Sequence, residues 1–262
     1  MDPWTIERTE TELDEAWRSF HSTDLEFRKG LSNHGPMAAE ALVALGHPQR
    51  VAEFVARYRA RLEPLPSGAP IPAPARHAAV GDLSRRADWI ATYHAMIDEE
   101  GPQRVARREI PALASGVMAG ALHALIRTGH ALRALHRRDT PTRRCELAHA
   151  LGYWAARHQP LPGRLGVRPR PGQDLLASLA AVPTVPTKGG RLIFERVEAV
   201  RSSTAFIEAV ETADLSATTL DAPVTALVEA SAELYLSSPR GRFVYLHGIP
   251  GSSAQRLIAP WL

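Results

Sequence analysis

Apolar residues recur at the helical period along almost the whole chain, and this constrains its fold more than any other feature. After Pro48, Val51, Phe54, Val55, Tyr58 and Leu62 fall at i, i+3, i+4, i+7 and i+11, one face of an amphipathic helix. Pro36 suits a first helical turn and Gly46 a C-terminal stop, predicting a helix over 36–45. The same period predicts helices over 84–99, 142–158, 190–211 and 220–237. Residues 111–135 are apolar or small on nearly every side, which predicts a central helix packed all round, with Gly116, Gly120 and Gly129 explained by close helix neighbours. Two Pro/Gly-rich stretches, 63–74 and 160–172, read as extended connections. Phe243 to Leu246 is the one β-compatible run, too isolated for a sheet. The expected fold is all-α, a single multi-helix domain over 1–262.

Composition excludes several function classes. The 262 residues carry a formal charge of +3, and all but Lys29 and Lys188 of the 31 basic residues are arginines. These alternate with acids, as in Arg57, Arg59, Arg61 and Glu63, a solvated surface and not a nucleic-acid-binding face. Cys145, the single cysteine, lies in a helical pattern and reads as a small apolar residue. Met1 to Glu15 is polar, with no leader-like apolar core, and no stretch reaches ~18 uninterrupted apolar residues. The expectation is a cytoplasmic protein with no nucleic-acid or membrane partner.

Tyr245 to Ser253 (Tyr-Leu-His-Gly-Ile-Pro-Gly-Ser-Ser) looks like the oxyanion-hole turn of α/β-hydrolases, but no Gly-x-Ser-x-Gly elbow or parallel sheet accompanies it. It is expected to be a turn between helices. No Gly-x-Gly-x-x-Gly or Walker lysine is present, so a nicotinamide, if used, is not held in a Rossmann domain of this chain.

Histidine is more informative. Of 11, His34, His123, His130 and His247 stand in apolar or turn-forming settings. His123, Arg127 and His130 share one helix face, the two histidine Cα atoms roughly 10 Å apart along the axis. Both imidazoles could reach one ion only by leaning together. Imidazole can ligate iron, zinc or copper and can move protons near neutrality. Hydrogen-bonded core histidines look the same in sequence. Buried Arg127 needs an anion, either a substrate group or a structural carboxylate.

Three segments resemble the questin oxidase-like family: Asn33-His34-Gly35-Pro36 with the helix after it; His123-Ala-Leu-Ile-Arg-Thr-Gly-His130 with Glu146 to Pro162; and Phe243-Val-Tyr-Leu-His247. The resemblance implies an oxidoreductase of secondary metabolism acting on an aromatic polyketide such as an anthraquinone. The reaction would be Baeyer–Villiger-type oxygen insertion or ring cleavage with O2. It further implies non-heme Fe(II) on His34, His123, His130 and His247, Arg127 on an anionic or phenolic substrate, and NADPH as an external reductant. Family members continue past the Leu-His segment into an Asp-x-His-x-x-Lys-like pattern with no counterpart here. The resemblance therefore leaves open a site completed by a second copy in a homo-oligomer, a cofactor-free histidine enzyme on this scaffold, and a non-catalytic relative.

Overall fold

Caps and prolines set most helix starts. In chain order the helices and strands are α1 (Pro3–His21), a hairpin of β1 (Glu26–Phe27) and β2 (Leu31–Ser32), α2 (Gly35–Ala44), α3 (Val51–Arg59), the one-turn α4 (Arg76–Ala79), α5 (Arg86–Glu100), α6 (Pro102–Leu113), α7 (His123–Arg137), α8 (Pro141–Ala156), α9 (Leu175–Ala180), α10 (Ile193–Val200), α11 (Thr204–Glu211), α12 (Asp221–Ser237) and α13 (Arg242–Ile258). Proline occupies the first turn of α2, α6 and α8, where its missing N–H leaves no bond unmade. Thr140 caps α8 by accepting from the Arg143 amide. The computed structural model describes residues 3–186, 192–216 and 221–262, with side chains in α1 from residue 9 onward. Lys188 and the start of the expected 190–211 helix lie outside the described residues. Among those described, a two-residue antiparallel pairing of β1 with β2 is the sole sheet, so the fold is all-α.

The core centres on α7 and α8. From Glu146 to Ala156 every α8 side chain is buried, including Leu147, Leu151, Tyr153 and Trp154. α5 and α6 cover one side, contributing Trp89, Ile90, Ile97, Val105 and Ile110, while α13 adds Ala254 and Ile258. A second cluster joins α1 to α2 and α3 through Leu13, Trp17, Phe20, Val43 and Val51. Each of these large side chains contributes about 1.5–3 kcal/mol by leaving water.

The expected 111–135 helix is two helices with a break. Pro111 sits in the last turn of α6, a 3-10 turn follows at Ala114–Gly116, and α7 begins only at His123. Packing causes the break. A Cβ on Gly116 would stand 2.2 Å from the His158 ring, and one on Gly120 2.4 Å from the Tyr153 hydroxyl. Gly120, Ala121 and Leu122 are then left-handed in succession, with φ of 55°, 57° and 72°. Only Gly129 has the expected helical role, against Leu257 and Ala254 of α13.

Two further expectations are corrected. The β-compatible run and the supposed turn from Phe243 to Ser253 together form α13. The 190–211 region is two helices, because the Ser203 hydroxyl accepts from the Phe206 amide and starts α11 afresh. The 63–74 stretch is extended as expected, bridged to Thr23 through Pro64, with Ile71 buried in the core.

Candidate functional site

Three histidines from distant parts of the chain meet. His34 opens α2 on a loop fixed by Asn33, whose amide donates to Thr23 Oγ1 and the Asp24 carbonyl while its oxygen accepts from the Gly35 amide. The His34 amide donates to the Tyr58 hydroxyl. Gly35 has no alternative residue there, because a Cβ would lie 2.6 Å from the Phe20 ring. His123 is the first residue of α7, and the left-handed turn before it aims the Gly120 carbonyl at His123 Nδ1, 2.6 Å away. His247, on α13, gives its Nδ1 to the Phe243 carbonyl at 2.6 Å. The His123 ring centroid lies 4.6 Å from that of His34 and 4.9 Å from that of His247, both edge-on. His123 Nε2 and His34 Nε2 are 2.8 Å apart.

Hydrogen bonding assigns the tautomers. A carbonyl only accepts, so His123 and His247 carry hydrogen on Nδ1 and a lone pair on Nε2. His34 Nε2 lies against the His123 lone pair. Burial, with His34 and His247 nearby, lowers the His123 pKa to about 3, against the bond to Gly120. Burial also lowers His34 and His247, despite backbone hydrogen bonds at Ser32 and Phe243. The cluster is thus neutral at ordinary pH.

These rings line a cavity of about 520 Å³, walled otherwise mostly by carbon: Phe27 and Leu31 of the hairpin, Met37 of α2, Ile126 of α7, Leu192 to Phe194, and Phe243, Leu246 and Pro250 of α13. His130 lines it too, but its Nδ1 lies 2.7 Å from Glu40 Oε2. Glu40 is fully buried, with Arg133 and Arg137 also on its oxygens. Burial alone would raise the Glu40 carboxyl, but His130 and Arg133 outweigh it and hold it at about 2. Sequence reasoning missed Glu40, although a lone carboxylate among Ala, Leu and Val in α2 was a visible signal.

Arg127 is elsewhere. Its guanidinium grips Glu146 with Nε at 2.6 Å and Nη2 at 2.9 Å, both side chains almost wholly buried. Of the two anions open to it in sequence, the structural carboxylate is the one present. His21 Nε2 adds a contact to Glu146 at 3.2 Å, and its ring stacks on His149. Burial and neighbouring Glu146 push the Cys145 thiol up to about 12, so it is no nucleophile at neutral pH.

The cavity therefore unites His34, His123, His247 and His130, in two groups, and leaves Arg127 out. Imidazole nitrogen suits iron, but among the described residues no three His, Cys, Asp or Glu side chains are placed to hold one metal ion. As arranged, the residues do not form a metal site. Lys29 sits at the hairpin tip with φ 65°, outside the cavity lining. No helix among the described residues is long and apolar enough to cross a membrane. No family model matches the chain, and no curated protein or solved structure matches it significantly.

Proposed function

We propose that this cavity binds a flat, apolar small molecule and that its histidines hold one hydroxyl or carbonyl oxygen of that molecule. The observation that carries this reading is the cluster of neutral imidazoles at the wall of a mostly carbon-lined space. The His247 Nε2 lone pair accepts from a ligand hydroxyl, while the Gly120 carbonyl holds the His123 ring at the cavity wall. A cofactor-free general base fits less well. Burial lowers all three imidazoles, the ligand-facing His247 included, so each is a weaker base than a free histidine.

The second reading is oxidation of an anthraquinone-type substrate by an Fe(II)- and O2-dependent oxidoreductase, with NADPH as external reductant, as the resemblance implies. It is favoured by Nδ1 of both His123 and His247 being committed to carbonyls, which leaves Nε2 as the donor atom. Holding a metal on His34, His123 and His247 would require the His34 ring, whose Nε2 is 2.8 Å from His123 Nε2, to swing aside.

1-Hydroxyanthraquinone, titrated by its visible absorption, tests the first reading. Saturable binding is expected, weakened at least tenfold by His247→Ala and by Ile126→Asp. No binding by the wild type, or affinity indifferent to both changes, would reject it. Elemental analysis of anaerobically purified protein then separates the readings. Near-stoichiometric iron lost in His123→Ala establishes the second, and none after ferrous reconstitution excludes it.

A further inference from the structure

A second cavity, of about 510 Å³, shares no residue with the first. α4, α5 and α6 supply most of its wall, with the turn after α6 and the residue beyond α8 closing it. Trp89 and Tyr93 stack at 5.6 Å between centroids and with Met96 and Leu113 make an apolar floor. The polar groups are Arg76, His77, Tyr93, Glu109, Ser115 and His158.

Their charges do not cancel. Glu109 is already satisfied, accepting from Arg108 Nε at 2.7 Å on one oxygen and from the Tyr93 hydroxyl at 3.2 Å on the other. Arg76 is anchored through Nε to the Ile71 carbonyl at 3.2 Å. Among the described residues no carboxylate forms an ion pair with it, although Glu100 lies near enough to feel its charge, so its terminal nitrogens stay open to an outside partner. At the rim, Ser115 Oγ and His158 Nε2 lie 3.2 Å apart.

That rim pair is held in place. The His158 ring lies against bare backbone at Gly116, where a Cβ would stand 2.2 Å from Cδ2. Val117 bridges Gln159, the Met118 amide donates to the Gln159 carbonyl at 3.2 Å, and Trp154 Nε1 donates to the Gly116 carbonyl at 3.0 Å. This fit is what breaks the chain between α6 and α7, so the interruption of an otherwise helix-compatible sequence serves this cavity as well as the first.

We propose that the second cavity is a binding site for a small amphipathic carboxylate, with its apolar or aromatic body on Trp89, Met96 and Leu113 and its carboxylate on Arg76. A guanidinium without an acidic partner matches a carboxylate in both charge and fork geometry. Ser115 and His158 offer a hydrogen bond to a further oxygen on the ligand. The proposal is independent of the function assigned to the first cavity.

Calorimetric titration with 2-naphthoate tests it, using the full chain at pH 7.5. Wild type is expected to bind one equivalent. Arg76→Gln should weaken binding at least tenfold, and so should Ser115→Trp, which obstructs the rim from an exposed position. 2-Naphthalenemethanol, with the same rings and no charge, should bind Ala38→Trp protein, whose first cavity is filled, at least tenfold more weakly than the acid does. Ala38→Trp, filling the first cavity, should leave naphthoate binding unchanged. The proposal is overturned if naphthoate does not bind, if Arg76→Gln and Ser115→Trp bind like wild type, or if Ala38→Trp is the variant that abolishes binding.

Discussion

Residues 9–159 and residues 160–262 are built differently. The first stretch, besides surface pairs, holds buried ones: Arg127 with Glu146, Arg143 with Glu10 and Asp14, Glu40 with Arg133 and Arg137. In the second, the ion pairs are open to water, as in Arg168 with Glu211, where the arginine is 65% exposed. Buried apolar side chains follow the same division, since beyond residue 160 the described ones are Ala209, Ala213, Val224, Ala254 and Ile258. Leu234, Leu236, Phe243 and Leu246 there are exposed. The first cavity draws on both regions. His34 and His123 stand on the densely packed side, and His247 on α13 is the one histidine of the cluster held by the lightly packed side. The difference teaches that one half of the site rests on a dense apolar core and the other on few buried apolar side chains.

Removing one carboxylate from each region gives the largest contrast. Glu146→Ala leaves the Arg127 guanidinium buried without its anion, for an expected loss of about 3–5 kcal/mol in chemical denaturation. Glu211→Ala in the outer region should cost less than about 1 kcal/mol. Equal losses would break the comparison.

Acid should act next, and mainly on the inner region. His123 has a folded pKa near 3 against an ordinary 6.5, so the unfolded chain takes up its proton first. Its contribution to stability is intact above pH 6.5 and falls by about 1.4 kcal/mol per pH unit below that, until the folded ring itself protonates near 3. Glu40 and Glu146, both held at about 2, add a second loss as pH falls from about 4.5 toward 2. Denaturation midpoints from pH 8 to 5 should fall less steeply for His123→Gln than for wild type.

Hydrogen exchange reads the smallest effect. Amides of α7 and α8 should exchange only through global unfolding, while those of α12, which packs chiefly on α13, exchange through smaller openings. Uniform protection along the chain would remove the distinction between the regions.

Much of the inner region is legible in sequence. Pro36 and Pro48 mark helix starts within a residue or two of those observed, and the expected 142–158 helix begins one residue from the observed start of α8. The break at 114–122 is not legible, because Ala, Val, Met and Leu favour a helix there and the chain turns to admit His158 and Tyr153, distant in sequence. α13 misleads in the opposite way. Gly248, Pro250 and Gly251 look like a turn, yet a Cβ on Gly248 would meet Ser231 at 2.3 Å and one on Gly251 would meet Leu122 at 2.5 Å. Those glycines let α13 approach α12 and the start of α7. Apolar or turn-like surroundings did single out four histidines that line one cavity. Spacing could not reveal that Arg127 and His130, on the same helix face as His123, are each turned to a carboxylate from another helix.

The left-handed run at Gly120, Ala121 and Leu122 has a consequence for anyone evolving this protein in the laboratory. An alanine in that conformation costs about 1–2 kcal/mol, which glycine would relieve. Glycine also enlarges the unfolded ensemble, which returns roughly 0.4–1 kcal/mol of the gain. Ala121→Gly is therefore neutral to stabilising by up to about 1.6 kcal/mol in a screen for heat tolerance, while it loosens the carbonyl that sets the His123 ring. A library sorted on thermal survival would accumulate such changes unnoticed, and only a sort on ligand occupancy would remove them.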